Sequence, residues 1–154
     1  MTRGVYSLLI ELEEGRAIEL KRGVCWRLPK GYYVYTGSAL GRGSTSLEKR
    51  LERHLSVNKK TYWHIDRLLD GSARVVRAVY AEAATRMECK LNQKISSLLR
   101  AKAVKGFGSS DCKYGCVGHL LYPDPLLRDL SGLLRRAFCE LGLKYREKVW
   151  HGVR

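Results

Sequence analysis

The stretch GYYVYTGSALGRGSTSLEKRLERHL, residues 31–55, constrains the fold of this chain more than any other. Its first seven residues alternate and are rich in tyrosine and β-branched side chains, the composition of a strand. A glycine-rich turn follows, and then Thr45-Ser46-Leu47-Glu48, the pattern of a helix start in which hydroxyl and carboxylate each satisfy an orphan backbone donor. A strand that feeds a helix across a short turn calls for a sheet layer packed on a helix layer. On that helix Leu47, Arg50, Leu51 and His54 recur at i, i+3, i+4 and i+7. A guanidinium and an imidazole therefore sit at the rim of an apolar face. Burying a lone charge is costly, so such groups are usually paired, metal-bound or lining a cleft.

The remaining segments extend the same reading. GVYSLLIEL (4–12), RAIEL (16–20) and VCWRL (24–28) read as strands that reach residues 31–37 through short turns, an order that predicts an antiparallel meander. WHIDRLLDG (63–71) is a short helical piece and ARVVRAVYAEA (73–83) a strand. Thr85-Arg86-Met87-Glu88 repeats the capping-box pattern and opens a helix to about residue 100, with Glu88, Leu91, Ile95 and Leu98 on one face. KGFGSSDCKYGC (105–116) is a loop and VGHLLY (117–122) a core strand. Pro123-Asp124-Pro125 starts an amphipathic helix with Leu126, Leu127, Leu130, Leu133, Leu134 and Phe138 on one face, and GLKYREKVW closes the chain as an edge strand. The predicted fold class is α+β: a small mixed or antiparallel sheet flanked by helices in one domain, with residues 1–122 as its body and 123–154 packed on it.

Twenty-nine Lys and Arg against fifteen Asp and Glu leave a formal charge of +14. Ion-pair networks on a crowded surface need both signs in similar amounts. Such an excess of cations suits a polyanion instead, and nucleic acid is the expected partner, DNA ahead of RNA. The basic residues are spread over several segments, which argues against one membrane-binding helix. No apolar run approaches the roughly 20 residues that span a bilayer, and the first residues lack the pattern of a signal peptide, so the expectation is a cytoplasmic protein with no membrane partner. Five cysteines in such a chain read as reduced thiols. Cys112-x3-Cys116-x2-His119, with Cys89 as a conceivable fourth ligand, has spacing that allows zinc, but small buried thiols beside a strand histidine are the favoured reading, with zinc as the alternative.

Gly4-Val5-Tyr6 on the first strand, Tyr35-Thr36-Gly37 on a later one, then a helix bearing Arg50 and a helix bearing Glu88, resemble the GIY-YIG nuclease superfamily in order and placement. The helix L-E-K-R-L-E-R-H is similar to that family's arginine helix, and E-C-K-L to its glutamate followed by an apolar residue three places on. The connection between the two short motifs is far longer than usual and leaves room for an extra hairpin. Ser38 stands where many members place a lysine. These features, with WHIDRLL and GFGSSDC, resemble more closely the domain-of-unknown-function 123 family over nearly the whole chain.

The resemblance implies metal-assisted hydrolysis of a phosphodiester. Glu88 would hold Mg2+ or Mn2+ with waters completing the octahedron, Arg50 would bind phosphate oxygens, and Tyr6 or Tyr35 would position the attacking water. His54 is a second candidate base or acid. Gly37, Ser38, Arg42, Arg53, His64, Ser109 and Ser110 are candidate substrate contacts. Each has a plainer reading on local sequence: Arg50 as a snorkelling cation, Glu88 as the last residue of its capping box, His54 as a core histidine.

Overall fold

The computed structural model describes residues 3–19, 25–39, 47, 49–51, 68–69, 73–105, 107 and 115–149. The strands are β1 (Gly4–Leu12), β2 (Arg16–Glu19), β3 (Cys25–Leu28), β4 (Gly31–Ala39), β5 (Ala73–Glu82), β6 (Lys102–Ala103), β7 (Leu120–Tyr122) and β8 (Tyr145–Val149). Two helices, α1 (Glu88–Leu98) and α2 (Leu130–Glu140), run unbroken, and Leu47, Lys49, Arg50 and Leu51 are helical as well. The class is α+β, as the sequence predicts. Six strands form one antiparallel sheet in the order β6-β7-β4-β1-β5-β8.

The meander expected from the sequence is not the observed topology. β1 pairs directly with β4, and β2 and β3 form a separate two-stranded sheet. This is the extra hairpin for which the long connection left room. It folds over one face of the main sheet, where Ile18, Trp26 and Leu28 are buried. Trp26 Nε1 donates to Lys105 O at 2.7 Å and fixes the hairpin to the segment before Phe107, whose ring lies 4.8 Å away.

β1 is the middle of the molecule. Layers on both faces bury it, which explains an apolar run that scarcely alternates. Tyr6, Leu8, Ile10 and Leu12 point to the hairpin face, with Tyr33, Tyr35, Leu47, Leu51, Leu68 and Phe107. Val5 and Leu9 point to the other, with Val34, Val79 and Ala81, against Leu91, Ile95 and Leu99 at α1 and Leu134, Ala137 and Phe138 of α2. A register shift opposite Leu9 and Ile10 leaves Val76 as an extra residue in β5. The bulge explains why Val75 faces the hairpin layer from an odd position while Ala78 and Tyr80 face it from even ones.

Local start signals gave the wrong helix ends. α1 begins at Glu88 behind Met87, with no side-chain capping bond, so Thr85 and Glu88 do not form the expected box. α2 begins at Leu130, later than the Pro123 start, because Asp129 accepts from Gly132 N at 2.9 Å. Leu126 consequently lies outside the helix and is 83% exposed, whereas Leu130, Leu134 and Phe138 are buried as expected. The strand expected over 117–122 is shorter, Leu120–Tyr122. The edge strand closing the chain is present as β8, paired with β5. Arg77 of β5 and Arg135 of α2 both reach Glu147 on β8, at 2.8 and 3.1 Å, which ties the C-terminal elements to the sheet.

Candidate functional site

Alternation along β4 divides the candidate residues between the two layers. Tyr35 and Gly37 face the hairpin layer, whereas Thr36 and Ser38 face α1. In the hairpin layer the rings of Tyr6 and Tyr35 lie 6.4 Å apart. Tyr6 pairs across the strands with Gly37, and its ring covers the space a side chain would fill there: an added Cβ would fall 2.6 Å from Tyr6 Oη. That close approach is what the glycine provides. Tyr6 is 1% exposed and Tyr35 half-buried, so Tyr35 is the more exposed of the two. Leu47 and Leu51 bury the helix that carries Arg50 against this same layer, and Arg50 itself is half-buried.

Glu88 stands at the other layer, beside the end of β4. Its Oε1 accepts from Ser38 Oγ at 3.0 Å and from exposed Arg86 at 3.4 Å, and its Oε2 lies 3.6 Å from His119 Nδ1. The carboxylate therefore reaches across to β4 and to residue 119 instead of back to its own helix start. Ser38, the position where a lysine was absent, is its nearest partner.

His119 is buried and held through its backbone. Its N–H donates to Phe107 O at 2.7 Å, and its carbonyl accepts from Thr36 N at 3.1 Å. Gly118 precedes it because no side chain fits there; a Cβ would lie 2.0 Å from Val104 O. Asn92, one turn along α1 from Glu88 and Cys89, donates to Gly118 O at 2.9 Å. With the backbone fixed so, His119 Nε2 faces Cys89 Sγ at 3.7 Å, and Cys116 completes a trio whose donor atoms all lie within 4.8 Å of one another. Gln93 donates to Cys116 Sγ at 3.8 Å. Burial lowers the His119 pKa from its ordinary value, and the Glu88 carboxylate opposes that shift.

Arg42, Arg53, His54, His64, Ser109, Ser110 and Cys112 lie outside the described residues. Two groups thus assemble among those described. One is Tyr6 and Tyr35 over Gly37, in the layer of the Arg50 helix. The other is Ser38, Glu88, Cys89, Cys116 and His119. The contact between Glu88 and His119 was not anticipated. They are 31 positions apart, and the pairing of β4 with β7, with the Asn92 bond to Gly118 O, brings residue 119 to the α1 start.

The fold and these groups define a small α+β protein with a carboxylate–imidazole–thiol cluster at one end of its central sheet. Over residues 5–139 the chain matches the family described as Domain of unknown function DUF123, and it belongs to that family. No curated protein and no solved structure matches it. Among the described residues no helix is long and apolar enough to cross a membrane.

Proposed function

We propose that this protein is a divalent-metal-dependent endonuclease of the GIY-YIG type, hydrolysing phosphodiester bonds in nucleic acid, with DNA as its expected substrate. The observation that carries the reading is the packing of the Tyr6 and Tyr35 rings over Gly37, in the layer of the Arg50 helix. Ser38 and Glu88 stand on the opposite face of β4, at its end, and the reading requires them to act around that strand end. The formal charge of +14 supports a polyanionic substrate.

The oxygens at the end of β4 fit a hard cation. Glu88 Oε1 and the Ser38 Oγ hydrogen-bonded to it at 3.0 Å are the hard oxygen donors that Mg2+ and Mn2+ prefer. Glu88, with Ser38 beside it, is the residue that would hold Mg2+ or Mn2+. Such an ion, when bound, neutralises charge on the phosphate and the leaving oxygen. Arg50 supplies a permanent guanidinium for the phosphate oxygens. Tyr35 orients the attacking water through its phenol, since Tyr6 is too buried to meet solvent, and the Tyr6 ring buttresses it at 6.4 Å. An unperturbed phenol titrates near pH 10, so proton removal at neutral pH requires a cation nearby, and Arg50 is the candidate.

The test is cleavage by the purified chain of single-stranded, duplex and branched oligonucleotides with Mg2+, Mn2+ or EDTA. Cleavage that EDTA stops and Mg2+ or Mn2+ restores, and that Zn2+ alone does not restore, supports the reading. Binding without cleavage under any of these conditions overturns it in favour of a non-catalytic nucleic-acid-binding module.

A further inference from the structure

Two thiols and an imidazole nitrogen lie within 4.8 Å of one another beside Glu88. We propose that Cys89, Cys116 and His119 form a zinc centre, distinct from any cation held by the oxygens of Glu88 and Ser38, with Glu88 as the group that orients its histidine. The inference stands whether or not the protein cleaves nucleic acid.

Donor geometry comes first. Tetrahedral zinc with Zn–S near 2.3 Å and Zn–N near 2.0–2.1 Å separates a sulfur from a nitrogen by about 3.5 Å and two sulfurs by about 3.8 Å. Cys89 Sγ and His119 Nε2 stand 3.7 Å apart, already at ligand spacing, and no pair among the three exceeds 4.8 Å. The remaining gap, about 1 Å at most against the sulfur–sulfur spacing, involves Cys116, which is half-buried. The three donors leave one vertex of the tetrahedron for water or another ligand.

Donor chemistry then selects the metal. Thiolate and imidazole suit Zn2+ and disfavour Mg2+, which demands oxygen. The surroundings match those of a zinc-bound histidine. Such a ring turns its second nitrogen to a carboxylate that fixes tautomer and orientation; His119 Nδ1 has Glu88 Oε2 on that side at 3.6 Å, just beyond hydrogen-bond distance, while Nε2 faces the thiol. Gln93, donating toward Cys116 Sγ, is the kind of contact that stabilises a thiolate.

Position gives the centre its role. Cys89 lies in the first turn of α1, whereas Cys116 and His119 belong to the segment that leads into β7. A bound ion would clamp the helix start to that segment. Through His119 it would fix the rotamer of Glu88, whose other oxygen meets Ser38. Zinc would thus set the carboxylate that the proposed catalytic reading uses.

The experiment takes the full chain without a histidine tag, equilibrates it with Zn2+, removes excess and counts metal by mass spectrometry, then repeats with Co2+ and records the visible spectrum. One ion per chain, with a thiolate-to-cobalt charge-transfer band and ligand-field intensity of a four-coordinate site, is expected. Cys116→Ser and His119→Ala should each lose the stoichiometric ion, whereas Cys25→Ser and Cys139→Ser, exposed and outside the trio, should retain it. Glu88→Gln should still bind one ion, with affinity weakened about 10- to 100-fold, the effect of removing an orienting partner. A parent that binds no zinc, gives no cobalt–thiolate band or forms a Cys89–Cys116 disulfide in place of binding overturns the proposal. So does zinc that survives both Cys116→Ser and His119→Ala. Should either ligand variant fail to fold, the parent's cobalt spectrum decides alone.

Discussion

Replacing Gly37 by alanine tests whether the short glycine motif on β4 is there for packing. The added Cβ would meet Tyr6 Oη at 2.6 Å, Cζ at 2.7 Å and Cε2 at 3.2 Å, and no backbone atom is among these nearest neighbours. The ring tip must retreat by most of an ångström, yet Tyr6 is 1% exposed and lies between Gly37 and Tyr80 on the flanking strands. Overpacking of this kind costs about 1–3 kcal/mol. In a protein of this size that lowers the melting temperature by about 2–12 °C. With Tyr6→Leu, which lacks the three clashing atoms, the same alanine should be neutral or stabilising by about 0.5–1 kcal/mol, the usual gain over glycine in a strand. The coupling between the two changes is then about 1–4 kcal/mol, read from urea denaturation of the four proteins in a double-mutant cycle. Gly4→Ala is the contrast: its Cβ would lie 2.3 Å from the backbone Ala81 O, so trimming the nearby Leu47 should not rescue it. Gly37→Ala as stable as the parent, or equally damaging in both backgrounds, would refute the packing argument.

Three further outcomes are expected. Burial, reinforced by the Tyr122 phenol, holds the Tyr33 pKa well above its ordinary value, so the unfolded chain releases that proton first as pH rises. Stability should be full below about pH 10 and fall above it, and Tyr33→Phe should flatten that fall while losing the bond to Pro29 O at 2.5 Å; equal slopes for parent and variant would exclude the linkage. Asp129→Ala removes the cap on α2 and should cost about 1 kcal/mol in thermal denaturation, recovered in part by Asp129→Ser. Nucleic-acid affinity should fall with salt at a log–log slope of roughly −5 to −7, as for five to eight neutralised phosphates; a salt-independent affinity would remove the basic surface from the account.

Much of the fold was legible because local composition and burial agree. β1, β4 and β5 carry the long apolar and β-branched runs, and each formed within a residue or two of its expected span. The insertion after β1 was read as strands, but their partner was not, because nothing local distinguishes a meander from a hairpin folded over a sheet face. The false capping box has a specific cause. Thr85 and Glu88 have the right spacing, yet Ser38 and His119, brought close by the sheet, give the carboxylate partners that the helix start would otherwise supply. The same tertiary effect hid half of the candidate site. Cys116-x2-His119 was visible as a spacing, and Cys89 as a conceivable ligand, but the Glu88–His119 contact depends on β7 lying beside β4.

The central claim rests on Glu88, and the most direct test is to measure Glu88→Gln for cleavage rate and oligonucleotide affinity in the same preparation, with zinc saturating so that the Cys89–Cys116–His119 trio stays loaded. The amide keeps the shape and a hydrogen bond to Ser38 but removes the charge that a divalent cation needs. The account predicts that cleavage falls by at least about 100-fold while affinity is unchanged or slightly higher, since a repulsion against phosphate is lost. A variant that cuts at the parent's rate would contradict it.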